Sequence, residues 1–272
     1  TSIKKVDDLF YVYANNREFI SDSVILAAGS KAAPKTGSDG NGYQLATKFN
    51  HTIIPVLPSL TQVYGSGNYY KNWNGIRVDA KLSLYEEDIL VDEECGELHL
   101  TDYGLSGICI FNLSGKISKG LALKKYEVVS INFIPDLEIK DCNTFIDWLD
   151  KRNQLLKNRT IDQLFDGFVN YKLVFLFLNL AHIDSHSYWN ELSADKRLEF
   201  AKLFLEHKVV ITNTSAYDKA QVCSGGVSLE EINVQTMESN IVKGLYFAGE
   251  ILDVDGDCGG YNLGFAWISG IL

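Results

Sequence analysis

The sequence is poor in the features that mark several common classes of protein. It has only five cysteines, an odd number, and no two of them form a C-x-x-C pair. They are Cys95, Cys109, Cys142, Cys223 and Cys258. This spacing argues against a disulfide framework and against a structural zinc site, so we expect no metal centre and a reducing, cytoplasmic setting.

Clusters of basic residues and long apolar runs are also missing. The chain carries 25 Lys and Arg against 35 Asp and Glu, for a net charge of -10, whereas nucleic-acid-binding domains present a basic surface. The most apolar run, residues 173–178, is too short to span a bilayer. We therefore expect a small-molecule substrate as the partner, rather than a nucleic acid or a membrane. The oligomeric state cannot be predicted from these features.

Methionine is nearly absent, and this bears on how the chain begins. The 272 residues start with Thr1, and the one methionine is Met237. The sequence also stops inside an apolar run, residues 268–272. Both ends indicate that the sequence is part of a longer protein.

The two ends of the chain share one pattern. Residues 23–28 form a continuous apolar segment that stops at Gly29, the type of strand that is buried on both faces of a parallel sheet. A glycine-rich loop follows, and then a helix predicted over residues 43–49. Residues 243–249 again form a short apolar strand ending in Ala-Gly, and a helix is predicted to begin near Asn262. In open α/β sheets, ligands bind at the carboxyl ends of such strands.

The middle of the chain has a different character. Residues 59–212 contain segments of alternating apolar and polar residues, which predict antiparallel strands. Helical spacing then occurs in three stretches, residues 143–156, 161–169 and 194–206. We predict an α/β fold in which residues 1–58 and 213–272 form one split domain. Residues 59–212 form an insertion, first β-rich and then helical.

Residues 253–264, DVDGDCGGYNLG, are open to two interpretations. Three aspartates at alternate positions match the start of a calcium loop, but Cys258 and Gly264 stand where that loop requires Gly and Glu. A solvated acidic turn also explains the aspartates. Neither interpretation explains Gly259 and Gly260 directly before a helix, where a ligand can approach bare backbone and where the helix favours negative charge. We therefore predict a cofactor site here.

The usual dinucleotide fingerprint is missing. That fingerprint is G-x-G-x-x-G between a strand and a helix. Residues 37–42 have the spacing G-x-x-G-x-G instead. The loop that would bind a pyrophosphate is therefore not part of this sequence.

The residues at both ends resemble those of a known family. Five segments of this chain look like motifs of that family: VILAAG (24–29), PKTGS (34–38), GGVS (225–228), GLYFAGE (244–250) and DVDGDCGGYNL (253–263). The family is that of the aminoacetone-oxidase-like, NAD(P)/FAD-dependent oxidoreductases of bacteria. TDYGLSG, residues 101–107, resembles a marker of the insert domain of that family.

The resemblance implies a flavoprotein with an incomplete Rossmann-like FAD-binding domain, interrupted by a mixed β-rich and helical insert domain. The residues that it assigns to the FAD site are Ala28, Gly29, Thr36, Gly37, Gly249, Glu250, Asp253, Gly259, Gly260, Tyr261, Asn262 and Leu263. The Glu250 carboxylate would accept hydrogen bonds from ribityl hydroxyls. The helix N-terminus near the flavin ring would stabilise negative charge on the reduced flavin.

The implied activity is hydride transfer between a small organic substrate and FAD, with NAD(P)H or oxygen completing the cycle. An enone or steroid-like substrate and an amine substrate both stay open. So does a second interpretation, in which the chain is a truncated protein that folds but does not hold FAD.

Catalytic residues are not identified by the sequence. Cys258 lies beside the predicted flavin, but no second cysteine is near it in the sequence, so we expect a small packed residue and not a redox cysteine. For Tyr261, contact with substrate and simple packing both stay open. His51 is expected to cap the helix that precedes it. His182 and His186 have the spacing of a metal pair on a helix, but without a third ligand they are expected to be surface residues.

Overall fold

The protein, here as a computed structural model, is described for residues 1–137 and 139–272. It divides into two compact units. Unit 1 consists of residues 1–61 and 215–272, and unit 2 of residues 62–214. Each unit has a hydrophobic core of its own. Within the described ranges, no helix is both long enough and apolar enough to cross a membrane.

The elements are numbered in chain order. The first segment of unit 1 contains β1 (Ser2–Val6), β2 (Leu9–Ala14), β3 (Arg17–Ser21), β4 (Val24–Leu26), α1 (Asn41–Lys48) and β5 (Ile53–Ser59). Unit 2 contains β6 (Val63–Gly65), α2 (Tyr70–Trp73), β7 (Arg77–Glu86), β8 (Ile89–Leu100), β9 (Gly104–Ser106), α3 (Ile108–Ala122), β10 (Glu127–Asn132), α4 (Cys142–Leu155), α5 (Tyr171–Leu180), α6 (Ala194–Leu205) and β11 (His207–Thr214). The second segment of unit 1 contains β12 (Val222–Val227), β13 (Ile232–Asn233), β14 (Glu238–Ser239), β15 (Leu245–Phe247) and α7 (Tyr261–Ser269).

A parallel strand pair joins the two sequence segments of unit 1. β4 and β15 lie side by side, with Val24 opposite Leu245 and Leu26 opposite Phe247. The amide of Ala248 extends this ladder by donating to the carbonyl oxygen of Leu26 at 3.1 Å. The strand order of this sheet is β13-β14-β15-β4. The pairing places the loops that follow β4 and β15 at the same edge of the sheet.

The prediction of a six-residue strand buried on both faces was wrong. β4 has only three residues, and the side chain of Ile25 is 64% exposed. Within the described part of the chain, β4 pairs with β15 alone. Its apolar sequence therefore does not correspond to a central strand with a covered face on each side.

The two glycines of the GGVS segment allow β12 to approach other backbone on both sides. A Cβ at Gly225 would overlap the carbonyl group of Pro55 on β5, with which β12 pairs. A Cβ at Gly226 would lie 2.7 Å from the carbonyl oxygen of Ile251. This part of the motif therefore serves packing within unit 1.

Unit 2 is built around a closed barrel with the strand order β10-β11-β6-β9-β8-β7. Helix α3 packs against strands β7 to β11. The predicted antiparallel strands are confirmed as β7, β8 and β10. Residues 161–169, predicted as a helix, contain only a 3-10 helix, Asp162–Phe165. Helices α3 and α5 were not predicted.

The TDYGLSG segment connects β8 to α3 and depends on close backbone contacts. A Cβ at Gly104 would overlap the carbonyl oxygen of Val63, and one at Gly107 would overlap that of Glu97. The hydroxyl of Thr101 accepts a hydrogen bond from the Gly104 amide at 3.1 Å. The glycines of this segment are therefore required for packing inside unit 2.

His51 caps helix α1 with its backbone, as predicted, since its amide donates to the carbonyl oxygen of Ala46 at 3.2 Å. Its side chain lies buried in a chain of hydrogen bonds. Its Nδ1 is 3.0 Å from Oε2 of Glu231, and its Nε2 is 2.8 Å from the hydroxyl of Ser239. The Ser239 oxygen also accepts hydrogen bonds from the amides of Ile241 and Val242. This network fixes the imidazole as neutral, with Nδ1–H donating to Glu231 and Nε2 accepting from Ser239.

The order Ser–His–Glu is that of a hydrolase relay, but this one has a structural role. Ser239 is only 6% exposed and His51 only 3%. The hydroxyl oxygen that would act as a nucleophile is already held by two amide groups. The relay therefore fastens the end of α1 to the loop after β14.

Replacing Ser239 by Ala leaves His51 Nε2 and two amides without their hydrogen-bond partner. We expect the free energy of unfolding of unit 1 to fall by about 1–3 kcal/mol, because a buried polar group that loses its partner costs that much. Hydrogen exchange of residues 238–242 under native conditions measures this. Ser23→Ala, at an exposed position of the same unit, is the control, and equal effects of the two changes would disprove the structural role.

Acid should also weaken unit 1. Burial lowers the pKa of His51, so the folded state binds fewer protons there than the unfolded state does. We expect the stability to decrease as the pH falls below about 6.5, the ordinary pKa of histidine. The same hydrogen-exchange measurement at pH 7 and pH 5.5 tests this, and His51→Gln should remove most of the difference. An unchanged difference in that variant would contradict the assignment.

Candidate functional site

A cavity of about 310 Å³ lies in unit 1 at the N-terminus of helix α7. Its lining residues are Leu60, Gln221, Val222, Glu250, Val254, Asp257, Cys258, Gly259, Gly260, Asn262, Leu263, Phe265 and Ala266. The volume is at the lower end of the range for pockets that bind small molecules. The lining combines apolar side chains with a few polar groups, as such pockets usually do.

Two glycines form the backbone that leads into α7. Gly259 has φ = +140° and Gly260 has φ = +98°, conformations that residues with a side chain rarely adopt. A Cβ at Gly260 would have no atom within 4 Å, so the conformation, and not crowding, requires glycine there. Gly260 is the N-cap residue of α7 and provides no side-chain cap for the first N–H groups of the helix. A bound group can therefore reach these donors directly.

Asn262 holds the loop in front of the helix. Its Oδ1 accepts a hydrogen bond from the amide of Gly256 at 2.9 Å, and its Nδ2 donates to the carbonyl oxygen of Gly256 at 2.8 Å. Both polar atoms of the side chain are therefore used by one residue of the same loop. Asn262 is one of the residues predicted for the site, and it lines the cavity. Its side chain, however, is used to hold the loop and not to face a ligand.

Glu250 provides a carboxylate on the cavity wall. Its Oε1 accepts a hydrogen bond from the amide of Cys223 at 2.8 Å. Burial raises the pKa of this carboxyl above its ordinary value, the Cys223 amide opposes that effect, and the nearby Asp255 adds to it. Oε2 takes no part in the bond to Cys223. The carboxyl group is thus held in a fixed orientation at the carboxyl end of β15.

The three aspartates of the DVDGD segment do not converge. The backbone of Asp253 donates to the carbonyl oxygen of Val227, which anchors the start of the segment. The carboxylate of Asp255 accepts a hydrogen bond from the hydroxyl of Ser59 at 3.0 Å. Asp257 lines the cavity. In residues 1–137 and 139–272, no group of three or more His, Cys, Asp or Glu side chains has the arrangement of a metal site.

Five of the twelve residues predicted for the site line the cavity, and seven do not. Those that line it are Glu250, Gly259, Gly260, Asn262 and Leu263. Ala28, Gly29, Thr36, Gly37, Gly249, Asp253 and Tyr261 lie outside its lining. The five residues that line the cavity lie in the segment after β15 and at the start of α7. Of the other seven, four follow β4, namely Ala28, Gly29, Thr36 and Gly37. The remaining three, Gly249, Asp253 and Tyr261, lie in the same segment as the lining residues.

Several of the residues outside the lining have local structural contacts. The hydroxyl of Thr36 donates to the carbonyl oxygen of Ala33 at 2.8 Å and closes a 3-10 turn. The amide of Gly249 donates to the hydroxyl of Ser269 at 2.9 Å, which ties the end of β15 to the end of α7. These contacts support the edge of the sheet where the cavity lies.

Sequence reasoning missed the wall of the cavity that lies next to β5 and β12. Leu60 follows β5, Gln221 directly precedes β12, and Val222 is the first residue of β12. β5 and β12 pair in antiparallel fashion, with Ser59 opposite Val222, which brings these residues together. No local pattern in one sequence reveals a pairing between residues so far apart along the chain.

Cys258 and the histidines give little support for a catalytic role. Cys258 lines the cavity and is partly exposed. His182 and His186 are both exposed, which confirms the expectation of surface residues. His182 has φ = +52° and follows the end of α5, so the two side chains do not form a pair on one helix face. The described residues around the cavity thus offer two carboxylates, Glu250 and Asp257, and backbone donors as their main polar groups.

Comparisons with known proteins agree with this architecture. The chain is 37% identical over 264 residues to a 3-dehydro-bile acid delta(4,6)-reductase of Clostridium scindens, covering 97% of this chain and 64% of the relative. It is 26% identical over 271 residues to a ribosomal RNA dihydrouridine synthase of Escherichia coli, covering 98% and 64%. The corresponding synthase of Haemophilus influenzae is 27% identical over 266 residues, covering 96% and 61%. The chain thus spans less than two thirds of the length of these relatives.

A family model matches the whole of the chain, residues 1–272, and its description is HI0933-like protein Rossmann domain. The mixed α/β architecture, the parallel pairing of β4 with β15 and the cavity at a helix N-terminus are consistent with a Rossmann-type domain. The chain belongs to the HI0933-like family.

Proposed function

We propose that the cavity at α7 holds the flavin ring of FAD and that the whole protein is a flavin-dependent reductase of a small organic substrate. The observation that carries the proposal is that one cavity contains both the Glu250 carboxylate and the glycine backbone of residues 259–260, which leads into the N-terminus of α7 without a side-chain cap. This arrangement occurs in a chain of a Rossmann-type family. The resemblance to the aminoacetone-oxidase-like family enters this proposal as a likeness of flavin-site motifs, and not as an amine-oxidase activity.

The cavity suits a flavin in three respects. The space in front of Gly260 is open, since a Cβ there would meet no atom within 4 Å. The apolar side chains of Leu60, Val222 and Phe265 offer a surface for an aromatic ring. Glu250, fixed by the Cys223 amide, presents a carboxylate, which is an acceptor suited to hydroxyl groups such as those of a ribityl chain.

When bound, the flavin would supply the hydride chemistry. The contribution of this chain is to bind and orient it. The N-terminus of α7 carries a partial positive charge, which favours electron-rich groups placed against it. Asn262 keeps the loop 256–260 in the shape that exposes these donors.

The relatives favour a reductase over an amine oxidase. Their names describe the reduction of carbon–carbon double bonds, in a dehydro-bile acid and in uridine. We propose the same reaction class for the whole protein, with a small apolar substrate and NAD(P)H as the electron donor. The net charge of -10 does not favour RNA as the substrate.

The proposal also explains how the 272-residue chain should bind flavins. Without a G-x-G-x-x-G loop, the pyrophosphate and adenosine of FAD gain no binding site in this chain. We therefore expect weak binding and nearly the same affinity for FAD and for riboflavin, measured by quenching of flavin fluorescence. A stoichiometric yellow protein on purification would contradict this expectation. No binding of either flavin would support the alternative, a chain that folds without holding the cofactor.

Glu250→Gln should weaken riboflavin binding roughly tenfold, or about 1.4 kcal/mol, because a charge-assisted hydrogen bond to a hydroxyl is lost. Glu230→Gln, at an exposed position of unit 1, is the matched control and should bind as the unchanged chain does. If the unchanged chain, Glu250→Gln and Glu230→Gln bound riboflavin with equal affinity, the flavin would lie away from Glu250.

Asn262→Ala should release the loop that precedes α7. Two hydrogen bonds of about 1 kcal/mol each are lost, so we expect faster hydrogen exchange at Gly256 and weaker riboflavin binding. Asn262→Asp keeps the acceptor for the Gly256 amide but not the donor, and should have an intermediate effect. Asn240→Ala, an exposed asparagine of unit 1, is the control. Unchanged exchange at Gly256 in Asn262→Ala would show that the loop does not depend on this side chain.

A further inference from the structure

The barrel of unit 2 contains a carboxyl group in a position where an ionised carboxylate is strongly disfavoured. Glu127 begins β10 and is only 1% exposed. Its alternate neighbours on the strand, Val129 and Ile131, are fully buried, so Glu127 points to the same interior side. Neither of its carboxyl oxygens has a hydrogen-bond partner of good geometry among the described residues.

A second carboxylate lies directly across from it. Glu127 is in register with Glu86 on β7 and with Ile211 on β11. Like charges at directly opposite positions of two strands destabilise a sheet. Glu86 has its own counter-ion, since the ammonium group of Lys125 contacts its Oε1. Lys125 therefore neutralises Glu86 and leaves Glu127 without a cation of its own.

Helix α3 holds the two carboxyl groups together. A Cβ at Gly120 would overlap Oε1 of Glu127 and would lie 2.8 Å from Oε2 of Glu86. Both carboxyl groups therefore pack over the same bare stretch of helix, within reach of each other. A residue with a side chain at position 120 would have to displace Glu127.

The charged groups that face Glu127 are few. They are Glu86 on β7, Glu87 in the turn after β7 and Lys125 just before β10. From α3 the facing residue is Gly120, and from β11 it is Ile211, and neither can ionise. Two carboxylates and one cation thus surround the group, and the cation is already paired.

We propose that Glu127 stays protonated in the folded barrel and that its carboxyl group, which packs beside that of Glu86 over Gly120, turns to donate a hydrogen bond to the Glu86 carboxylate. The pair forms a pH-sensitive latch that holds β10, β7 and the last turn of α3 together. At low pH the shared proton closes the latch. As the pH rises through neutrality the proton leaves, two carboxylates face each other over Gly120, and this end of the barrel opens more often.

The expected pH range follows from the local environment. Burial, and then the charge of Glu86, raise the pKa of Glu127 to about 7, whereas an unfolded glutamate titrates near 4.5. The closed form therefore binds more protons than the open form between these two values, and its stability decreases as the pH rises through that window. Above it, no further loss is expected from this group.

Hydrogen exchange of the intact 272-residue chain, corrected for the intrinsic effect of pH, tests the latch. Between pH 6 and pH 8.5 we expect protection at the start of β10 and at the end of α3 to fall about tenfold. Glu127→Gln resembles the protonated form, so its protection should stay constant over that range. Glu97→Gln, an exposed barrel residue paired with Arg77, is the matched control and should keep the tenfold change.

A direct titration tests the protonation of Glu127 itself. In the unchanged chain, the carboxyl carbon of Glu127, labelled with carbon-13, should titrate near pH 7, and Glu86→Gln should move that titration to lower pH. A Glu127 signal that titrates below pH 5 would overturn the proposal. So would a Glu127→Gln chain that folds and loses protection with pH as the unchanged chain does.

Discussion

The parallel pairing of β4 with β15 is the interaction on which unit 1 depends. It joins strands from opposite ends of the chain, with Leu26 opposite Phe247. Because the strands run in the same direction, the loops that follow them lie at one edge of the sheet. The Ala-Gly ends of both strands, Glu250 and the turn into α7 owe their positions to this pairing. Together with the pairing of β5 with β12, it connects the two sequence segments of unit 1 around the cavity.

Sequence reasoning succeeded where the signal is local. An apolar run that ends in glycine marks β4 and β15, and alternation marks β7 and β8, because these patterns lie within a few residues. α3 was missed because Ser114, Gly115 and Ser118 interrupt the apolar face that would have revealed a helix. α5 was missed for the opposite reason: it is apolar on nearly every side, so it shows no helical period. The closure of the barrel depends on strand pairings that no local pattern contains.

The same division holds for the candidate site. Glu250, Gly259 and Gly260 lie in one short stretch, and its unusual glycine content could be read directly. Leu60 and Val222 reach the cavity only through the register of β5 with β12, which is a long-range property. The two hydrogen bonds of Asn262 to Gly256 were also out of reach, because a sequence does not show which way an amide side chain points.

The discontinuous arrangement of unit 1 has a consequence for the order in which the protein acquires its structure during synthesis. All residues of unit 2 lie between positions 62 and 214, so its barrel can close as soon as β11 has emerged from the ribosome. β4 emerges much earlier, but its partner β15 follows only after β11. Until β15 is made, β4, including the exposed Ile25, lacks this partner strand, and an apolar strand edge without its partner tends to bind other chains. The unit that is translated first is therefore the one that is completed last.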